Sequence, residues 1–109
     1  MTRLLSPMTG KMVLPETAKW HRLVLRTVSV VVHENHSAGY ASTVQEIERG
    51  LYRLLPRLTV RRALNSLVFT GALDAFSQSK SIDRREVDAL VRVGRKFDRL
   101  EFLPVGEVL

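Results

Sequence analysis

The chain contains no cysteine, which excludes a disulfide-stapled scaffold, a Cys-based zinc finger and a thiol redox site. Its three histidines, His21, His33 and His36, lack the partners that a zinc site would need, so no metal is expected. The longest apolar run, Val28 to Val32, is interrupted by Ser29 and is far too short to span a bilayer. The first residues show neither a signal-peptide core nor a small-residue cleavage site, so the expectation is a soluble, cytoplasmic protein with no membrane partner. There is no Gly-rich phosphate loop and no nucleophile beside an evident base. Asp74 and the pair Asp83/Glu86 read as turn and cap residues. Neither an enzyme nor a cofactor is expected.

What is present is an ordinary globular composition with a strongly basic balance. The 109 residues are 45% apolar and 26% charged, which suits one folded domain with a real core. The formal net charge is +6 and the pI about 10.5, favouring a polyanionic partner, nucleic acid first. Of 17 cationic residues only Lys11, Lys19, Lys80 and Lys96 are lysines, and arginine is the better bidentate partner for phosphate or guanine. Between Glu48 and Asp74 stand Arg49, Arg53, Arg57, Arg61 and Arg62 with no acidic residue.

Residues 1–14 show no clear periodicity and read as an N-terminal arm, mobile unless a partner or second protomer holds it. Pro15-Glu16-Thr17 has the form of a helix start. Trp20, Leu23, Val24, Thr27, Val28, Val31 and Val32 then recur at helical spacing to about Asn35, with Trp20 expected as a core anchor. His33 to Gly39 reads as a polar loop. Ser42 with Gln45, or Thr43 with Glu46, has capping-box spacing ahead of Val44, Ile47, Leu51 and Leu54 or Leu55, which would face the core of a helix ending before Pro56. Pro56 is suited to open the next helix.

That next stretch, Thr59 to Thr70, organises the chain. Val60, Ala63, Leu64, Leu67 and Val68 form one apolar stripe, leaving Arg61, Arg62, Asn65 and Ser66 elsewhere on the surface, and Gly71 stands where a helix most often ends. Leu73 to Ser77 can form a short strand, followed by a polar loop to Ser81 that carries Lys80. Beyond it two readings stay open. Asp83 and Glu86 form a capping box, with Ile82 and Val87 as a staple, for a helix from about Arg84 to Leu100. Val87, Ala89 and Val91 also alternate, as a returning wing strand would. In the helical reading Arg85, Arg92, Arg95, Lys96 and Arg99 lie toward one side as a phosphate or partner surface. The domain is expected over 15–103, and 104–109 forms an apolar, helix-breaking tail.

Thr43-Val-Gln-Glu-Ile47, Leu58-Thr59-Val-Arg-Arg62-Ala-Leu64-Asn-Ser-Leu67 and Thr70-Gly-Ala-Leu73 resemble the helix-turn-helix core of MarR-like regulators, and Asp83-Arg84-Arg85 with Gly94-Arg95 resembles that family's wing tip and last helix. The resemblance covers about Thr43 to Arg95, though the chain is shorter than a typical member. It implies a mainly α fold with a small β-wing, a winged helix-turn-helix. By this resemblance a homodimeric transcriptional regulator would insert helix 57–70 into the major groove of double-stranded DNA, with 77–85 as wing. Arg61, Asn65, Arg57 and Ser66 are then the candidates for base edges. Arg62, Thr59, Thr43, Arg49, Arg53, Lys80, Arg84 and Arg85 are the candidates for the backbone. Such a protein would be nucleoid-associated when bound. The alternative expectation is a winged-helix protein-interaction module in a plasmid, viral or replication assembly.

Overall fold

The computed structural model describes residues 15–51 and 53–107, apart from the side chains of 15–20 and 93. The arm 1–14 and the Trp20 anchor fall outside the described set. The first helix, α1, spans Pro15–Ser37 with proline at its first position. It continues through the valine-rich segment because Val28 and Val32, four residues apart, are both fully buried, and Val24, Leu25 and Val31 pack beside them. That burial is worth more than the few tenths of a kcal/mol by which each β-branched residue disfavours a helix.

After α1, a two-residue strand β1 (Ser42–Thr43) leads directly into α2 (Val44–Leu51). Of the two possible capping boxes, Thr43/Glu46 forms: Glu46 Oε1 accepts from the Thr43 N–H at 2.9 Å, and Thr43 Oγ1 from the Glu46 N–H at 3.2 Å. Ser42 is fully buried and turned inward, its hydroxyl accepting from Asn35 Nδ2 at 2.7 Å. Val44, Ile47 and Leu51 are buried as expected, but α2 stops at Leu51, earlier than a run to Pro56. The amides of Leu54 and Leu55 both donate to the Leu51 carbonyl at 2.8 Å. Leu54 is left 72% exposed and Leu55 partly buried.

The third helix, α3 (Arg57–Phe69), follows with Pro56 as its N-cap residue. Its predicted stripe of Val60, Ala63, Leu64, Leu67 and Val68 is buried throughout. At its end Gly71 has φ +85°, its amide bonds the Val68 carbonyl at 3.1 Å, and the Ala72 amide bonds that of Leu67 at 2.8 Å. This is the double bond pattern of a left-handed helix stop.

Downstream the chain departs from both earlier readings. The strand β2 (Leu73–Ser77) lies where expected, but its return strand β3 is Lys80–Ile82, which begins inside the stretch read as loop and takes in Ile82. Asp83 caps α4 (Arg84–Leu90) by accepting from the Arg85 N–H at 3.1 Å. A 3-10 turn at Val91–Val93 and Gly94 at φ +51° then break the helix before a short α5 (Arg95–Asp98). Residues 84–100 are therefore neither one helix nor a wing strand followed by one. The supposed tail begins inside a strand, β4 (Glu101–Pro104).

β4 is an inner strand. The sheet order is β1-β4-β2-β3, antiparallel at every pairing, with Phe102 opposite Ser42 on one side and Ala75 on the other. The molecule is thus mainly helical with a small four-stranded sheet, and the 84–100 segment carries the chain from the edge strand back to the interior while laying α4 against α3. No helix among the described residues is long and apolar enough to cross a membrane.

The turn between β2 and β3 consists of Gln78 (φ +52°) and Ser79 (φ +68°), both in the left-handed region. A two-residue hairpin of this form favours Asn-Gly. Replacing the pair by Gln78→Asn and Ser79→Gly should raise stability by about 1 kcal/mol, since each non-glycine residue there costs roughly 1–2 kcal/mol and glycine gives back part of that in entropy. A urea midpoint unchanged or lowered by the double substitution would contradict this turn geometry.

Candidate nucleic-acid interface

The candidate residues on α3 divide by helical position. Val60, Ala63, Leu64, Leu67 and Val68 face the core. Leu58, Arg62 and Phe69 are exposed on the opposite side, and Thr59, Asn65 and Ser66 are partly covered. Arg61 lies at the boundary of the buried arc, and its surroundings decide its role.

Glu48 sits on the inner face of α2, between Ile47 and Leu51, with its side chain 10% exposed. A carboxylate withdrawn from water needs opposing charge or hydrogen bonds. Arg57 Nε donates to Glu48 Oε1 at 3.2 Å, while Arg61 Nη1 lies 3.9 Å from Oε2. The second separation is too long for a hydrogen bond, so that oxygen is held by charge attraction alone. The Arg61 guanidinium also pairs with Asp98 of α5, donates from Nη2 to the Gly94 carbonyl at 3.1 Å, and stacks 5.3 Å from the centroid of the buried Phe97 ring. One arginine, 13% exposed, therefore ties α2, α3, the Gly94 turn and α5 together.

Asn65 is also engaged internally, donating from Nδ2 to Asp88 Oδ1 of α4 at 2.8 Å. Arg84 packs over the Phe69 ring at 5.3 Å and donates to the Phe69 carbonyl at 3.2 Å. It thereby places a cation at the negative end of α3. Displacement of residues 84–100 from the core would expose Val87, Phe97 and Leu100, each no more than 1% exposed. At about 1.5–3 kcal/mol for each side chain, that far exceeds what the polar links contribute, so the flanking segment is a fixed part of the fold.

The middle of α3 consequently lies on the floor of a groove of about 590 Å³. His21, Val24 and Leu25 of α1 form one wall and Val91 the other, with Thr59, Arg62, Ala63, Asn65 and Ser66 below. A helix that reads bases stands proud of its neighbours in order to enter a major groove. This one is recessed between them.

The remaining candidates are dispersed. Thr43 serves the α2 capping box, and Arg49 is exposed beside a shallow depression with Val31, Asn35 and Tyr40. Arg53 is exposed on the turn after α2, Lys80 on β3, and Arg85 in the first turn of α4. The geometry brings Arg57 and Arg61 together on Glu48, with Arg57 still 74% exposed, while Asn65 bonds separately to Asp88. Glu48 had a legible signal, since residues 44, 47, 48 and 51 form one helical face and an acid among them requires a partner. Asp88 and Asp98 had none, because their partners are 23 and 37 residues away.

The same pattern extends over most acidic side chains. Asp83 caps α4, Glu46 caps α2, Asp74 accepts from the Gly106 amide at 3.0 Å, and Glu107 meets His36 at 3.0 Å. Arg62, Lys80, Arg85, Arg92, Arg95, Lys96 and Arg99 are exposed and form no ion pair among the described residues. Charge is thus largely sorted by sign, with most acids in bonds within the protein and most cations other than Arg57, Arg61 and Arg84 turned to solvent. No family model, curated protein or solved structure matches the chain. Among the described residues, no group of three His, Asp or Glu side chains could hold a metal ion.

The ion-pair geometry makes Arg61 a structural residue. Arg61→Ala should lower unfolding stability by about 3 kcal/mol, the low end for breaking a buried pair, because Glu48 keeps Arg57. Arg61→Lys should recover less than half of the loss, since an ammonium cannot span Asp98 and the Gly94 carbonyl together. A denaturation midpoint unaffected by Arg61→Ala would show that this side chain is free to serve a ligand.

Proposed function

We propose that this chain is a double-stranded-DNA-binding protein of winged helix-turn-helix form, gripping phosphates rather than reading bases through Arg61. The observation that carries the reading is the sorting of charge: Glu46, Glu48, Asp74, Asp83, Asp88, Asp98 and Glu107 bond within the protein while Arg62, Lys80, Arg85, Arg92, Arg95, Lys96 and Arg99 face solvent. Arginine-rich surfaces of this kind bind a duplex mainly by neutralising phosphate and releasing counterions. The order α2, turn, α3, then a β2–β3 hairpin carrying Lys80 supports the winged form. Of the four base-edge candidates, Arg61 and Asn65 are bonded within the protein, which leaves Ser66 in the recessed part of α3 and Arg57, 74% exposed at its first turn, so sequence preference should be weak. A homodimeric regulator belongs to the same proposal, with Leu23 (53% exposed) and Val30 (45% exposed) giving α1 an apolar stripe for a second copy. The competing reading, a protein-interaction module, draws on the exposed Leu54, Leu58 and Phe69.

Fluorescence anisotropy on a random-sequence duplex tests the proposal. Affinity should fall steeply between low and moderate salt, by about 0.9 in the log–log slope for each phosphate neutralised. The triple substitution Arg92→Ala, Arg95→Ala, Lys96→Ala should lower that slope by roughly 2–3 and weaken binding equally on every duplex. Salt-independent binding, or none at low salt, would overturn the DNA reading.

A further inference from the structure

We infer that the groove over α3 is a second interaction surface, and that its occupant is an acidic amphipathic helix of a partner protein. The walls are apolar, with Val24 and Leu25 on α1 facing Val91 on the 3-10 turn and Ala63 between them. Beyond the two ends of this hollow, on the same exposed arc of α3, Leu58 is 56% and Phe69 46% exposed. From Leu58 to Phe69 the helix advances about 16 Å, which is about three turns of a facing helix. A small ligand seated in the hollow would leave both of these side chains bare. A duplex is much wider than a helix and rests on the rims rather than entering. An α-helix fits the length and covers the ends, with apolar anchors at i, i+3, i+4 and i+7.

Charge selects the sign of the partner. Arg62 stands exposed on the floor, Arg92 follows the Val91 wall, and neither has an ion-pair partner among the described residues. No carboxylate lines the hollow itself. Asp88, which borders its Phe69 end, is already bonded to Asn65. A helix with glutamates beside its apolar stripe therefore meets cations on the floor and along the Val91 side, whereas a lysine-bearing one is repelled.

The test uses the full chain and three synthetic peptides of about 18 residues, long enough to cover the groove. One has leucines at the stated spacing among glutamates, one replaces glutamate by lysine, and one scrambles the acidic peptide so that its amphipathic stripe is lost. The acidic amphipathic peptide should bind at least about tenfold more tightly than either control, and Arg62→Glu or Ser66→Glu should each weaken it about tenfold or more. Both positions are outside the buried core, and the circular dichroism spectrum of each variant should match that of the unsubstituted chain. Equal binding of the scrambled peptide means charge alone is recognised and overturns the proposal, as does binding unaffected by both substitutions. Failure of the salt-dependence experiment on duplex DNA leaves this result untouched, so the two readings fall separately.

Discussion

A carboxylate on the inner face of a short helix must be met by cations that the fold brings to it. Glu48 occupies that position, and the consequences reach most of the molecule. Arg57 and Arg61 answer it from the first turns of α3, fixing α3 against α2. Arg61 has donors left over, and these recruit Asp98 and the Gly94 carbonyl from the far end of the chain. Buried ion pairs contribute little net stability compared with an apolar core, but they are specific, because a displaced partner leaves an unmatched charge. Here the pairs fix the position of the 84–100 segment, while Phe97, Val87 and Leu100 supply most of its adhesion.

With that segment fixed, α3 is flanked on both sides. α1 borders it on one side and α4 with the 3-10 turn on the other, so the helix is a floor rather than a ridge. The arginines nearest its N-terminus are turned to acids, and the outward charge moves to Arg62, the hairpin and residues 92–99. A surface of this shape suits contact with a polyanion along the rims and contact with a narrower, apolar object in the hollow. These two uses depend on different side chains, apart from Arg62 and Arg92.

Much of the first half of the fold was legible because its signals are local. The Thr43/Glu46 box, the stripe from Val60 to Val68, the Gly71 stop and the Leu73–Ser77 strand each depend on residues within about two turns of one another. The return strand was harder to see. Lys80-Ser81-Ile82 is short and polar, and its turn uses Gln78-Ser79 where Asn-Gly would have marked it. β4 had no strand signal, since Glu101-Phe102-Leu103-Pro104 has no periodicity to distinguish a buried strand from the apolar tail that follows. Its place in the sheet depends on β1 and β2, about 60 and 30 residues earlier.

The sequence by itself determined that the chain is basic and arginine-rich, that it lacks the residues for disulfides or thiolate metal sites, and that a helix with one apolar face runs from near Pro56 to Gly71. These are properties of composition and of near neighbours along the chain. Only the tertiary structure decided what the polar side of that helix does. Arg61 and Asn65 carry the same donors whether they face solvent, a base or a carboxylate, and nothing within a few residues distinguishes these cases. The distinction comes from Asp98 and Asp88, which the long return of the chain carries to α3. Electrostatic pairing depends on separation in space, and separation in space is set by the whole fold.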